Sequence, residues 1–197
     1  MNIELLTDIL SSDDPAALLV ENEEYVFSLI PELARCKGFE QNNVWHIYDV
    51  WGHILKVVEG APRDLKARYV ALFHDVGKPA VYHADENGVG HFYGHWEKSV
   101  EIFEAFAREH GLDGDFIASV SRLIHYHDIN LAELSERKLK RLVNSLTTEE
   151  LALLFGIKRA DLLAQNPIYH GLLADYDVLE ARVIDIKAAG NGKQFRK

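Results

Sequence analysis

One cysteine, Cys36, is all the thiol that this 197-residue chain carries. That excludes an internal disulfide and a zinc site built on a cysteine cluster. No internal repeat, low-complexity segment or Gly/Ser-rich linker interrupts the chain. No apolar run approaches the roughly 18 residues of a membrane span. The acidic N-terminus does not resemble a signal peptide, so the expectation is a cytoplasmic protein with no membrane partner. Basic residues are also scarce: 21 Lys and Arg stand against 31 Asp and Glu, for a net charge of −10. An extended nucleic-acid surface needs clustered cations to displace counterions, so no extended nucleic acid is expected as a partner, although a short basic patch could still hold one phosphate group. The only basic end, Lys193-Gln194-Phe195-Arg196-Lys197, reads as a disordered tail.

What the sequence does contain is an ordinary apolar fraction of 48% arranged with helical spacing. The length suits one domain with its own core. Asp14-Pro15 supplies a capping carboxylate followed by proline at the first helical position, predicting a helix over 16–30. Val44, Ile47, Tyr48, Trp51, Leu55 and Val58 predict another over 44–58, stopped by Gly60-Ala61-Pro62. Further helices are expected over 64–74, 96–110, 116–127, 136–146, 148–165 and 172–189. Between Lys78 and Gly94 the pattern changes. Glu86-Asn87-Gly88, flanked by Val81-Tyr82-His83 and by the run from Val89 to Tyr93, predicts a small β-hairpin in a long loop. The expectation is an all-α domain: an N-terminal helical extension (1–43), a core (44–170), and a C-terminal helix with its basic tail (171–197).

Histidine is over-represented, with 10 residues, nine of them between His46 and His127. Helical spacing ranks them. His46, Val50, His53 and Val57 share a stripe beside the apolar one, so His53 should sit at the core's edge. His74-Asp75 ends the apolar run Val70-Ala71-Leu72-Phe73, where a closing turn could aim both side chains at one ion. On 116–127, His127 falls with Phe116, Val120, Leu123 and Ile124, whereas His125 faces outward. Asp161 lies behind Leu154 and Ile157, and an inward carboxylate is costly unless it is paired or binds a cation. One such residue alone is most simply a boundary side chain. Several on different helices suit Mn, Fe, Co, Ni, Mg or Zn.

The order His53, His74-Asp75, Asp161 resembles the signature of the HD-domain metal-dependent phosphohydrolase superfamily. Four stretches sharpen the likeness: Asp49-Val50-Trp51-Gly52-His53, the run from Leu72 to Pro79, His91-Phe92-Tyr93-Gly94-His95, and the run from Arg159 to Gln165. Together they are similar to the HD domain attached to bacterial tRNA nucleotidyltransferases, here stand-alone, with no room for the nucleotidyltransferase head. The resemblance implies a helical bundle in which His53, His74, Asp75 and Asp161 hold a divalent metal. His95 and His127 fall where members with two metals carry extra histidines, so one ion or two is expected. His91 is an alternative ligand or substrate contact on the hairpin.

Catalysis would then rest on Asp75 as ligand and proton acceptor, with Lys78 neutralising a phosphate oxygen. Arg122 and Lys158 are weaker phosphate contacts, read as exposed. By resemblance, the expected substrate is a small nucleotide-like phosphoester. A 2′,3′-cyclic nucleotide phosphodiesterase or phosphatase comes first, and a nucleoside 5′-monophosphatase or a non-catalytic metal- or nucleotide-binding regulatory module follows. A homodimer is compatible with this reading.

Overall fold

In the computed structural model, residues 3–194 are described, with side chains to residue 190. The predicted tail, 193–197, therefore falls outside the described side chains. Among the described residues no helix is long and apolar enough to cross a membrane. The chain is all-α apart from one two-stranded ribbon. Four short helices come first: α1 (Glu4–Ser11), α2 (Pro15–Glu21), α3 (Glu23–Leu29) and α4 (Pro31–Cys36). Asp14 caps α2 as expected, accepting from the Ala17 amide. The continuous helix predicted over 16–30 instead breaks at Asn22, which leaves the helical region at φ −107°, ψ 27°. These helices share one apolar core with the rest of the chain, through Leu6, Leu10, Leu19 and Val26.

The scaffold of the molecule is α5 (Val50–Gly60), α6 (Leu65–Phe73), α8 (His95–Glu109), α9 (Gly114–Tyr126) and α11 (Thr148–Ala164). α5 packs on α11 and α6, and α9 bridges α6 to α8. α6 is buried from Ala67 through Phe73, which explains the continuous apolar run Val70–Phe73 in place of a single stripe; the one charged side chain in that stretch, Arg68, donates to the Pro62 carbonyl. Tyr69 and Phe73 are locked by edge and tilted contacts with Phe103, Phe106 and Phe116. Side chains of this size each contribute roughly 1.5–3 kcal/mol when fully buried. α10 (Glu136–Ser145) and α12 (Leu173–Gln194) pack on each other, and α12 also covers α11.

The helix predicted over 44–58 begins only at Val50. Asp49 accepts from the Gly52 amide at 2.6 Å and sets the first turn there. Its other oxygen accepts from Gly38. Residues 41–49 form an irregular segment tied down at two points: Gly90 donates to the Asn42 carbonyl, and Asn166 donates to the carbonyls of Trp45 and Val44. Val44, Ile47 and Tyr48, expected on the inner stripe, are exposed. The hairpin is real but minimal. Strands β1 (His83–Ala84) and β2 (Gly90–His91) pair antiparallel, His83 opposite His91, while Val81 belongs to the short helix α7 (Lys78–Val81).

The start of α11 is a capping box. Thr147 accepts from the Glu150 amide, and the Glu150 side chain accepts from the Thr147 amide. Glu150 is buried and also accepts from Ser119 and Arg122. Burial opposes its charge, but the Thr147 amide, Arg122 and Ser119 outweigh that and hold its carboxyl below the usual range. A group held low contributes stability above its unfolded value, about 4.3, and loses it as the pH falls through its folded value. Glu150→Ala should therefore cost about 2–4 kcal/mol at pH 7. Denaturant titrations between pH 7 and 3 should show the variant's deficit shrinking as the medium becomes acidic.

Candidate metal centre

Two ligand histidines owe their position to helix ends. His74 and His127 are the C-caps of α6 and α9, each still in the right-handed helical region. Each ring turns back to donate from Nδ1 to the carbonyl three residues earlier, His74 to Ala71 at 2.8 Å and His127 to Ile124 at 2.6 Å. His95, the first residue of α8, does the same with Phe92 at 3.0 Å. With the Nδ1 hydrogen committed to a carbonyl, the neutral ring has its lone pair on Nε2. His53 comes from the first turns of α5 and Asp161 from the last turns of α11.

These side chains converge. His53 and His74 meet Nε2 to Nε2 at 3.3 Å, and His95 and His127 at 3.2 Å. Asp75 lies between the pairs. Its Oδ2 is 3.3 Å from His53 and 3.2 Å from His74, and its Oδ1 is 3.2 Å from His95 and 3.8 Å from His127. Two buried groups able to hold a metal ion result, His53–His74–Asp75 and Asp75–His95–His127, sharing the one carboxylate. Asp161 Oδ1 reaches His53 at 3.0 Å, with 18% of its side chain exposed.

The donor set fits a divalent cation. His95 and His127 point Nε2 lone pairs at each other in a buried space, an unfavourable arrangement that a shared neighbouring cation resolves. The mix of imidazole nitrogen and carboxylate oxygen suits Mn, Fe, Co, Ni or Zn, with Mg served by the carboxylates. Burial opposes the charge on Asp75, but His74 and Lys78 hold its carboxyl well below the ordinary range. Burial likewise opposes Asp161, and His53 and His74 outweigh it.

Lys78 is buried, contrary to a solvated helix-end lysine. Its Nζ donates to Asp75 Oδ2 at 2.7 Å, Gln41 Oε1 at 2.8 Å and His46 Nε2 at 3.4 Å, and it lies over the Phe92 ring. Gly77 is required here, because a Cβ would meet the His95 carbonyl at 2.6 Å, and its amide donates to buried Ser99. α8 is thereby clamped against the His74-Asp75 turn.

The remaining predicted residues separate. Lys158 is buried rather than exposed, because its Nζ turns inward onto the His127 carbonyl. Arg122 is committed to Glu150. His91 stays on the ribbon, paired with Asp85 and stacked on Tyr93 and His83. His125 is exposed. The sequence assigns no functional role to Gln41 or His46. His46 carried a signal in its place beside His53, but Gln41 has none, since only folding brings it onto Lys78.

A cleft of about 460 Å³ opens beside the cluster, lined by Trp45, His46, His127, Asp128, Lys158, Asp161, Gln165 and Tyr176 among others. Trp45 stacks on Tyr169 at 3.9 Å between ring centroids, fixing the 41–49 segment as one wall.

The model of the family described as HD domain matches residues 44–185. A CC-adding tRNA nucleotidyltransferase from Thermus thermophilus is 38% identical over 120 residues, 57% of this chain. The matched chain spans 26% of that protein's length.

Proposed function

Because the chain belongs to the HD domain family, a superfamily of metal-dependent phosphohydrolases, we propose that it hydrolyses a nucleotide-like phosphoester, with a 2′,3′-cyclic nucleotide as the first substrate to consider. The observation that carries this reading is the shared carboxylate: Asp75 offers one oxygen to each of two buried imidazole pairs. The similarity to a tRNA nucleotidyltransferase supports a nucleotide-like substrate.

In this reading His53, His74, Asp75 and Asp161 hold one divalent ion, and Asp75, His95 and His127 hold a second. Such ions supply Lewis acidity toward a phosphoryl oxygen and toward water. The protein's own part is to fix charge and exclude solvent. Lys78, with three polar partners, keeps Asp75 ionised and immobile. Both Asp75 oxygens are engaged, whereas Asp161 Oδ2 has no partner among the described residues and Asp161 lines the cleft. That supports Asp161 Oδ2 as the proton acceptor for the attacking water, leaving Asp75 as the ligand.

Metal-reconstituted protein should hydrolyse bis(4-nitrophenyl) phosphate, and a panel of 2′,3′-cyclic and 5′-nucleotides ranks the natural class. Absence of turnover with Mn, Co, Ni and Mg alike would leave only a binding module.

A further inference from the structure

The cleft wall carries two buried donors that partners among the described residues do not fully satisfy. Lys158 is 6% exposed, and among the described residues its ammonium has one hydrogen-bond partner, the His127 carbonyl. An ammonium has three N–H bonds, so two are left for whatever fills the cleft that Lys158 lines. On the 41–49 wall, His46 accepts at Nε2 from Lys78, because a lysine can only donate. The ring hydrogen must then sit on Nδ1, a buried atom with no partner.

The two donors flank the metal-ligand cluster from opposite ends. Lys158 touches the His127 half, and the His46 ring lies edge-on to His53, with centroids 4.9 Å apart. A buried ammonium with a single acceptor and a buried N–H with none are each unfavourable, and one ligand presenting several acceptor oxygens relieves both. The acidic side chains Asp128 and Asp175 also line the cleft, so an anion gains its hold from these donors and the cluster rather than from a generally positive surface.

We propose that Lys158 Nζ and His46 Nδ1 form a two-point anion cradle that grips the phosphoryl oxygens of the substrate and of the released phosphate. The choice of phosphate rests on the phosphohydrolase reading; the two open donor positions do not. Lys158 and His46 are binding groups here, setting affinity and orientation while the ligand cluster stays intact.

Inorganic phosphate is the probe, titrated calorimetrically into metal-loaded protein. Lys158→Met preserves length in a buried site without a donor, and His46→Phe preserves the ring. Each should weaken phosphate binding roughly tenfold or more, the range of one hydrogen bond to a charged group, and should raise KM more than it lowers kcat. Metal content and Tm should stay at parental values, and Lys158→Arg should recover part of the affinity. Unchanged phosphate affinity in both variants overturns the cradle. So does loss of bound metal in Lys158→Met, which would make that lysine a support for His127. A parent that binds phosphate through these donors yet hydrolyses no phosphoester keeps the cradle and overturns the enzyme reading instead.

Discussion

Asp75→Asn should abolish metal binding in both halves of the cluster and lower phosphoester hydrolysis by about 10³-fold or more, within the range for loss of an essential catalytic group. The double effect follows from the geometry. Oδ2 serves the His53–His74 pair and Oδ1 the His95–His127 pair, so one substitution withdraws the shared carboxylate from both, leaving the second half with no anionic ligand and the first with Asp161 alone. Asparagine keeps the shape, which separates loss of charge from loss of packing. It also strands the buried Lys78 ammonium, which would retain Gln41 and His46 as partners. His127→Ala is the control, since it touches one half only. Metal content by mass spectrometry should fall to near zero in Asp75→Asn and to about half the parental value in His127→Ala. Equal losses in the two variants would mean that the halves are not separate sites bridged by Asp75.

Withdrawing the metal from the parent should have the largest effect on stability. Two ions, each present at about 100 times its Kd, contribute about 2.7 kcal/mol apiece to the folded state. For a chain of this size one kcal/mol corresponds to roughly 2–4 °C in Tm, so chelation should lower Tm by about 10–20 °C. The chain should nonetheless remain folded. Lys78 supplies Asp75 with a counter-charge, and the core beneath it, from Val70 to Phe73 and across to Phe103 and Leu123, is independent of any ion. A Tm that does not move on chelation would rule out metal bound at a buried centre; outright unfolding would make the ions the principal support of the fold.

How much of this could be read beforehand depends on the kind of signal. Caps are local. Asp14 acts within three residues of itself and starts the helix its position implies. Apolar period is also local, and it correctly turned His127 inward and His125 outward. It failed over 44–49, where the spacing of Val44, Ile47 and Tyr48 imitates a helix. There the Asp49 cap and hydrogen bonds from Gly90 and Asn166, remote in sequence, win over the local pattern. Lys158 departs from its local pattern for a related reason. A lysine on a helix is ordinarily solvated, and the His127 carbonyl together with the charges of Asp161 and Asp128 makes an inward ammonium tolerable.

The sequence by itself determined that the protein is helical and single-cored, and that His53, His74, Asp75 and Asp161 are candidate ligands, with His95 and His127 beside them. Tertiary structure alone decided that Asp75 would stand between two imidazole pairs, that Lys78 would be held beneath it by Gln41, and that His46 and Lys158 would face one cleft. The physical reason is reach. A residue's type and its helical phase are set by its neighbours along the chain, whereas the meeting of side chains from α5, α6, α8, α9 and α11 depends on how those helices cross, which is settled by packing over the whole core.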